Sequence, residues 1–182
     1  IVVLLGDNGL SLGEKSRWGK RSLWERDTRV PLMVRAPGLP AGGRCAEPAG
    51  LVDVYPTLVE LCGFPAEPRL EGRSLRGTFN EGQATGHAHS LVYHYDVTAN
   101  RDVAGRTVIS RAWRYTEWDA GRAGRELYWH ADDPEEYRNV AADPARAGAL
   151  QEAAAQLSRL PAPKAGPANR PRALDRDPRK AK

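Results

Sequence analysis

The chain opens on Ile1-Val2-Val3-Leu4-Leu5, five aliphatic residues stopped by Gly6, and no apolar run of helix length continues beyond it. An unbroken apolar run of this size reads as a strand covered on both faces, the kind found in parallel sheets. Such a sheet needs several strand and helix units, yet the sequence offers only one further run of that kind, Val30–Ala36 in "RVPLMVRAPG". The strand neighbours are therefore expected upstream of Ile1, and the 182 residues alone are expected to be unstable. The turn after Leu5 falls at the carboxyl end of the strand, the edge at which open α/β sheets bind ligands.

That turn and its sequel read "GDNGLSLGEKSRWGK", Gly6 to Lys20. A carboxylate at Asp7 beside an amide oxygen at Asn8 suits a hard divalent cation, because Ca²⁺ and Mg²⁺ prefer oxygen ligands. Two donors are not a full set, since Ca²⁺ takes about 6 to 8 oxygens, and Asn-Gly is also a common tight-turn pair. No alternating strand returns after Asn8-Gly9; a polar loop with Glu14, Lys15, Arg17 and Lys20 follows. Ammonium groups near a bound cation point to an anion held between them, a phosphate or sulfate ester. The alternative is that Lys15 and Lys20 are solvated loop residues.

Charge carries less information than its total implies. Residues 161–182 hold seven of the Lys and Arg against Asp175 and Asp177, so this Pro-rich tail is +5 while the whole chain is +4. The remainder is close to neutral, which argues against a nucleic-acid face. The tail reads as a disordered basic end rather than a binding arm. Cys45 and Cys62 form no zinc pattern; they either pair or stay as buried free thiols. No apolar stretch approaches the roughly 20 residues of a membrane span.

Along the chain, "PGLPAGGRCAEPAG" is a loop by composition. In "LVDVYPTLVELCGFP", Asp53 can cap a short core helix, Pro56 fits its first turn, Val54, Leu58 and Leu61 share a face, and Gly63 stops it. "LEGRSLRGTF" and "NEGQATGHA" read as a long connection. "SLVYHYDV", "RTVIS", "AWRYTEW" and "RELYWH" are short alternating aromatic segments, the pattern of a small antiparallel sheet. Asp143-Pro144 then opens a helix carrying Leu150, Leu157 and Leu160.

"GDNGLSLGEKSRWGKRSLWERDTRVPLMVRAPG" resembles the metal and substrate segment of type I, formylglycine-dependent sulfatases of the alkaline phosphatase superfamily, most nearly the iduronate-2-sulfatase-like branch. The resemblance runs in family order through "LVDVYPTLVELCGFP", "LEGRSL", "GRTVISRAWRYTEW" and "RELYWHADDPEEYRNVAADP". It implies an α/β fold: residues 1–80 as the end of the sulfatase sheet domain, 81–160 as a small α+β subdomain with an antiparallel sheet, and 161–182 as a tail. It implies Asp7 and Asn8 as metal ligands for Ca²⁺ or Mg²⁺, and Lys20, in "WGK", as a contact to the sulfate ester. Lys15 stands where many members have His after "LGE" and bacterial relatives also have Lys, which makes it a second sulfate contact. Arg17 departs from the pattern.

The implied reaction is hydrolysis of a sulfate ester, of a small molecule or an oligosaccharide and most readily of a sulfated carbohydrate, by a formylglycine made from Cys or Ser in C/S-x-P-x-R. That motif and the first pair of metal-binding aspartates are absent from the 182 residues. The chain alone is accordingly expected to be inactive, with the nucleophile upstream. The rival readings are a phosphodiesterase, phosphonate hydrolase or phosphatase of the same superfamily, and a non-catalytic module that keeps the fold. Family members are often periplasmic, secreted or lysosomal, which makes periplasm or secretion the expected location, and nothing in the sequence specifies an oligomer. His87, His89, His94 and His130 are either general acids or packing residues beside Tyr93, Tyr95, Tyr128 and Trp129. The aromatic residues are read as core, and Trp18 as either core or a sugar platform.

Overall fold

A computed structural model of the chain describes residues 1–81, 88–96 and 101–160; for 80–81, 88–96 and 101–102 it describes the backbone alone. His87, most of the "NEGQATGHA" connection and the 161–182 tail lie outside the described residues.

β1 (Val2–Leu5) pairs with β4 (Leu32–Arg35), Val2 opposite Arg35 and Leu5 opposite Leu32, in an antiparallel ladder. This corrects the expectation of parallel strands buried on both faces. An all-apolar run carries no information about strand direction, and here the chain returns directly beside β1, with the Gly6 N–H donating to the Pro31 carbonyl at 3.0 Å. One face of the ribbon is covered: Val3, Leu32 and Val34 line a crevice with Val54, Leu58 and Leu75. On the other face Val2, Leu4 and Met33 are 65 %, 54 % and 57 % exposed.

The cover is α2 (Val54–Leu61), which starts after Asp53 and stops at Gly63 with φ of 73°, as its sequence implies. The Asp53 carboxylate does not cap α2 itself. It accepts the backbone N–H groups of Gly50 and Arg73, both at 2.9 Å, and so ties the flanking segments to the helix start. Thr57 donates to the Asp53 carbonyl at 2.6 Å and accepts the Leu75 N–H at 2.9 Å, which buries Leu75 beneath the helix. α3 (Arg76–Glu81) forms within what reads as connection.

A four-stranded antiparallel sheet follows, as the alternating segments predict: β5 (Ala88–Asp96), β6 (Arg101–Ile109), β7 (Trp113–Trp118) and β8 (Gly124–Trp129), side by side in chain order. Tyr115 faces Val108 and Leu127 across the ladder, and Thr116 faces Thr107 and Glu126. Because side chains alternate along a strand, β7 presents two different faces. Its odd positions, Trp113 and Tyr115, join Val108 and Leu127 in a core closed by Ala153 and Leu157 of α4 (Ala147–Arg159). The α4 C-terminus is held by Arg106, whose guanidinium donates to the carbonyls of Leu157 and Leu160 at 3.1 and 3.2 Å, a favourable place for a cation. The Asp143 side chain accepts the Ala145 N–H at 2.9 Å and so caps the turn leading into α4.

Candidate functional site

Asp7 and Asn8 occupy the turn leaving β1, Asp7 exposed and Asn8 half-buried. Two backbone bonds fix this turn, Gly6 N–H to Pro31 and Gly9 N–H to the Asp27 carbonyl at 2.9 Å. Gly9 lies so close to the chain after it that a Cβ would run into the carbonyl oxygen of Arg26; only glycine lets the turn lie there.

The loop then makes a small hairpin that the sequence does not announce: β2 (Ser11–Leu12) and β3 (Trp18–Gly19), with Ser11 opposite Gly19 and Leu12 opposite Trp18. Lys20 directly follows β3, at the base of the hairpin and on the side from which Asp7 and Asn8 lead in. Lys15 sits at the opposite end, in the tight turn Glu14–Ser16. The register thus brings Lys20 to the Asp7–Asn8 end and separates Lys15 from it by the length of the hairpin. Trp18 is 78 % exposed.

The base of the hairpin is fastened by a buried carboxylate. Asp27, in α1 (Glu25–Thr28), accepts the Ser11 hydroxyl at 2.5 Å and the Ser22 N–H at 2.8 Å. Burial pushes its carboxyl up, and the bonds from Ser11 and Ser22 more than offset this and leave it lowered. At the tip, the Lys15 ammonium lies 4.0 Å from the centroid of the Trp24 ring and 4.1 Å from that of Tyr128. Burial against these rings pushes the Lys15 amine down.

Tyr128 belongs to β8, so the hairpin rests on the sheet face opposite α4. Glu126 organises that face: it accepts the Trp24 indole N–H at 2.9 Å, the Trp118 indole N–H at 2.8 Å and the Tyr128 hydroxyl at 2.9 Å. Burial and the neighbouring Glu126 charge push the Tyr128 phenol up, which keeps it a neutral donor. Beside it, Arg114 donates to Glu136 at 2.6 Å, to Glu25 at 2.9 Å and to the Thr28 hydroxyl at 3.0 Å. Glu136 in turn accepts the Glu25 N–H at 2.8 Å, at the start of α1. Sequence reasoning missed Asp27, Arg114, Glu126 and Glu136, because nothing in the local pattern distinguishes them from surface charges; only their fold partners do.

Of the histidines, His130 has its Nε2 2.9 Å from Glu136 and belongs to this buried network; His89 and His94 lie on β5, described by its backbone alone. Trp113, Tyr115 and Tyr128 are buried, as a core reading requires. Cys45 and Cys62 are free and exposed, which corrects the alternatives of a pair or of buried thiols. The surrounding loop and the end of α2 leave both at the surface. No helix among the described residues is long and apolar enough to cross a membrane.

The donor set at Asp7 and Asn8, one anionic and one neutral oxygen on a fixed turn, fits a hard divalent cation as a partial ligand shell. Among the described residues no group of three or more His, Cys, Asp and Glu converges to hold a metal.

The family model described as N-sulphoglucosamine sulphohydrolase, C-terminal, matches residues 13–162. A protein named Sulfatase from Formosa agariphila is 33 % identical over 141 residues, covering 78 % of this chain and 26 % of that protein. Human Arylsulfatase K is 27 % identical over 147 residues, covering 78 % and 27 %. The chain thus spans about a quarter of the length of these curated relatives. Among solved structures, a 2-O GAG sulfatase is 26 % identical with a TM-score of 0.68, covering 86 % of this chain and 35 % of that one. A phosphonate monoester hydrolase from Silicibacter pomeroyi is also 26 % identical, with a TM-score of 0.67 and coverage of 86 % and 33 %.

Proposed function

Since the chain belongs to the N-sulphoglucosamine sulphohydrolase C-terminal family of sulfatases, we propose that the protein containing it hydrolyses sulfate esters, and that the Gly6–Lys20 loop is its contribution to the active site. Its fold is the mixed α/β architecture of the alkaline-phosphatase-like sulfatases, with small antiparallel sheets. The observation that carries the proposal is the placement of Asp7, Asn8 and Lys20 at one end of a hairpin whose base is fastened by Asp27.

In this reading Asp7 and Asn8 hold a divalent cation, Ca²⁺ or Mg²⁺, together with ligands from outside the described residues. The cation supplies Lewis-acid polarisation of the sulfate oxygens, and a formylglycine encoded outside these 182 residues supplies the nucleophile. Lys20 places its ammonium against the ester and balances the charge that grows on the sulfate oxygens as the S–O bond breaks. Lys15 adds a second positive charge to the same loop. Asp27 and Gly9 hold the backbone between Asp7–Asn8 and Lys20, so that the geometry is set before substrate arrives.

The substrate class we favour is sulfated carbohydrate, with a 2-O-sulfated uronic acid of the iduronate type first. The likeness to a 2-O GAG sulfatase supports it, as does the resemblance of the loop to the iduronate-2-sulfatase-like branch. The likeness to a phosphonate monoester hydrolase favours a second reading, hydrolysis of phosphonate esters. The discriminating experiment is to assay the full-length protein with 4-methylumbelliferyl sulfate and with a phenyl phosphonate monoester, with and without added Ca²⁺. We expect Ca²⁺-dependent turnover of the sulfate. Faster turnover of the phosphonate would replace the first reading by the second, and turnover of neither, nor of a 2-O-sulfated uronate disaccharide assayed beside them, would leave a non-catalytic module.

A further inference from the structure

A ladder of two residue pairs is too short to hold itself together, so the β2–β3 hairpin must be fastened from outside at both ends. Asp27 fastens the base. At the tip the chain turns through two consecutive left-handed residues, Lys15 with φ of 51° and Ser16 with φ of 58°, a conformation that residues with a Cβ adopt only at a cost. That turn delivers the Lys15 side chain between the rings of Trp24 and Tyr128. The rings do not move freely to meet it: Glu126 ties both, and the Trp24 indole N–H also lies 3.2 Å from the Tyr128 hydroxyl. The charges around the ammonium favour a cation, with Glu126, Glu136 and Asp133 attractive and Arg114 opposed.

We propose that Lys15 is a positioning residue, whose ammonium, clasped between Trp24 and Tyr128, locks the hairpin onto the sheet and so sets where Lys20 meets the sulfate ester. The proposal rests on the sulfatase reading for the duty of Lys20, but not for the clasp itself. An ammonium enclosed by two ring faces has little freedom to reach an ester as well, so Lys15 acts through the hairpin rather than on the substrate. Arginine can stack on the same rings; methionine fills the space without the charge.

Two measurements on the full-length protein test this. The first is independent of turnover: ¹³C-dimethylation of the lysines, with the Lys15 resonance identified by its loss in Lys15→Arg. Ring currents should place that resonance well upfield of the other lysines, and inorganic sulfate should leave it unmoved. A resonance at the ordinary solvent-exposed position, or one that shifts with sulfate, overturns the clasp. The second is kinetic: Lys15→Met and Trp24→Leu should each lower kcat/KM on an aryl sulfate by about ten- to a hundredfold. The double variant should lose no more than either alone, and Lys15→Arg should retain most of the activity. A loss in Lys15→Met that Trp24→Leu does not share points to direct contact with substrate and overturns the proposal. If the unmodified protein turns over no sulfate, the sulfatase reading fails while the resonance still judges the clasp.

Discussion

Arg114 and Glu136 form a buried ion pair, Nε to Oε1 at 2.6 Å, with side chains only 2 % and 0 % exposed. Twenty-two residues apart in sequence, they meet beneath the segment that carries the candidate active loop, and each also binds Glu25 of α1. Removing one partner leaves the other's buried charge only partly compensated, by Glu25 for Arg114 or by the hydrogen bond with His130 for Glu136, at a cost of up to about 3–5 kcal/mol. Arg114→Ala and Glu136→Ala should each destabilise the protein by that amount in urea unfolding, and a joint replacement by apolar residues should cost less than the two losses added. Equal additivity would show that the charges are solvated independently.

The same pair sets an acid limit. Burial pushes the Glu136 carboxyl up, but hydrogen bonds from His130 and Arg114 and the Arg114 charge outweigh it and leave the carboxyl lowered. A carboxylate depressed in the folded state adds stability above its unfolded value, about 4.3 for Glu, and that contribution fades as pH falls through the folded value. Asp27 acts in the same sense. The urea midpoint should hold from pH 7 to about 5 and fall below about pH 4, and Glu136→Gln should flatten the fall. A midpoint as steep in Glu136→Gln as in the parent would assign the acid limit elsewhere.

Gly9→Ala is the sharpest probe of the Asp7–Asn8 turn, because the new methyl meets the Arg26 carbonyl, a backbone atom that cannot swing away. We expect a destabilisation of about 2 kcal/mol or more and a loss of cation affinity, read by isothermal titration with Ca²⁺. Gly148, which has open space around it in α4, is the control; Gly148→Ala should be neutral or slightly stabilising.

Asp7→Ala and Lys20→Ala should separate in kinetics. Loss of Asp7 should abolish the response to added Ca²⁺ in the full-length protein. Loss of Lys20 should leave that response intact while lowering kcat by about 10²- to 10³-fold, the usual effect of removing one donor to a developing oxyanion. A Lys20→Ala variant with unchanged kcat would remove Lys20 from the site.

The four-stranded sheet, α2 and α4 were legible because their patterns are periodic: alternation in "AWRYTEW", a shared face in Val54, Leu58 and Leu61, an Asp-Pro start before Leu150. The direction of β1 was not, since a run with no polar face reads the same against a parallel or an antiparallel neighbour. α1 and the β2–β3 hairpin were also hidden, because two to four residues carry too little pattern and are held by tertiary partners, Asp27 and Glu136. Lys15 was legible as a cation but not as one enclosed by rings, because Tyr128 lies 113 positions further on.

β7 divides the chain's sensitivity to substitution by parity. Its odd residues, Trp113 and Tyr115, answer to α4; its even residues, Arg114, Thr116 and Trp118, answer to the face on which the loop rests. Neighbours in sequence therefore report on different partners: along this one strand, odd-position variants should loosen the seat of α4 and even-position variants the seat of the loop.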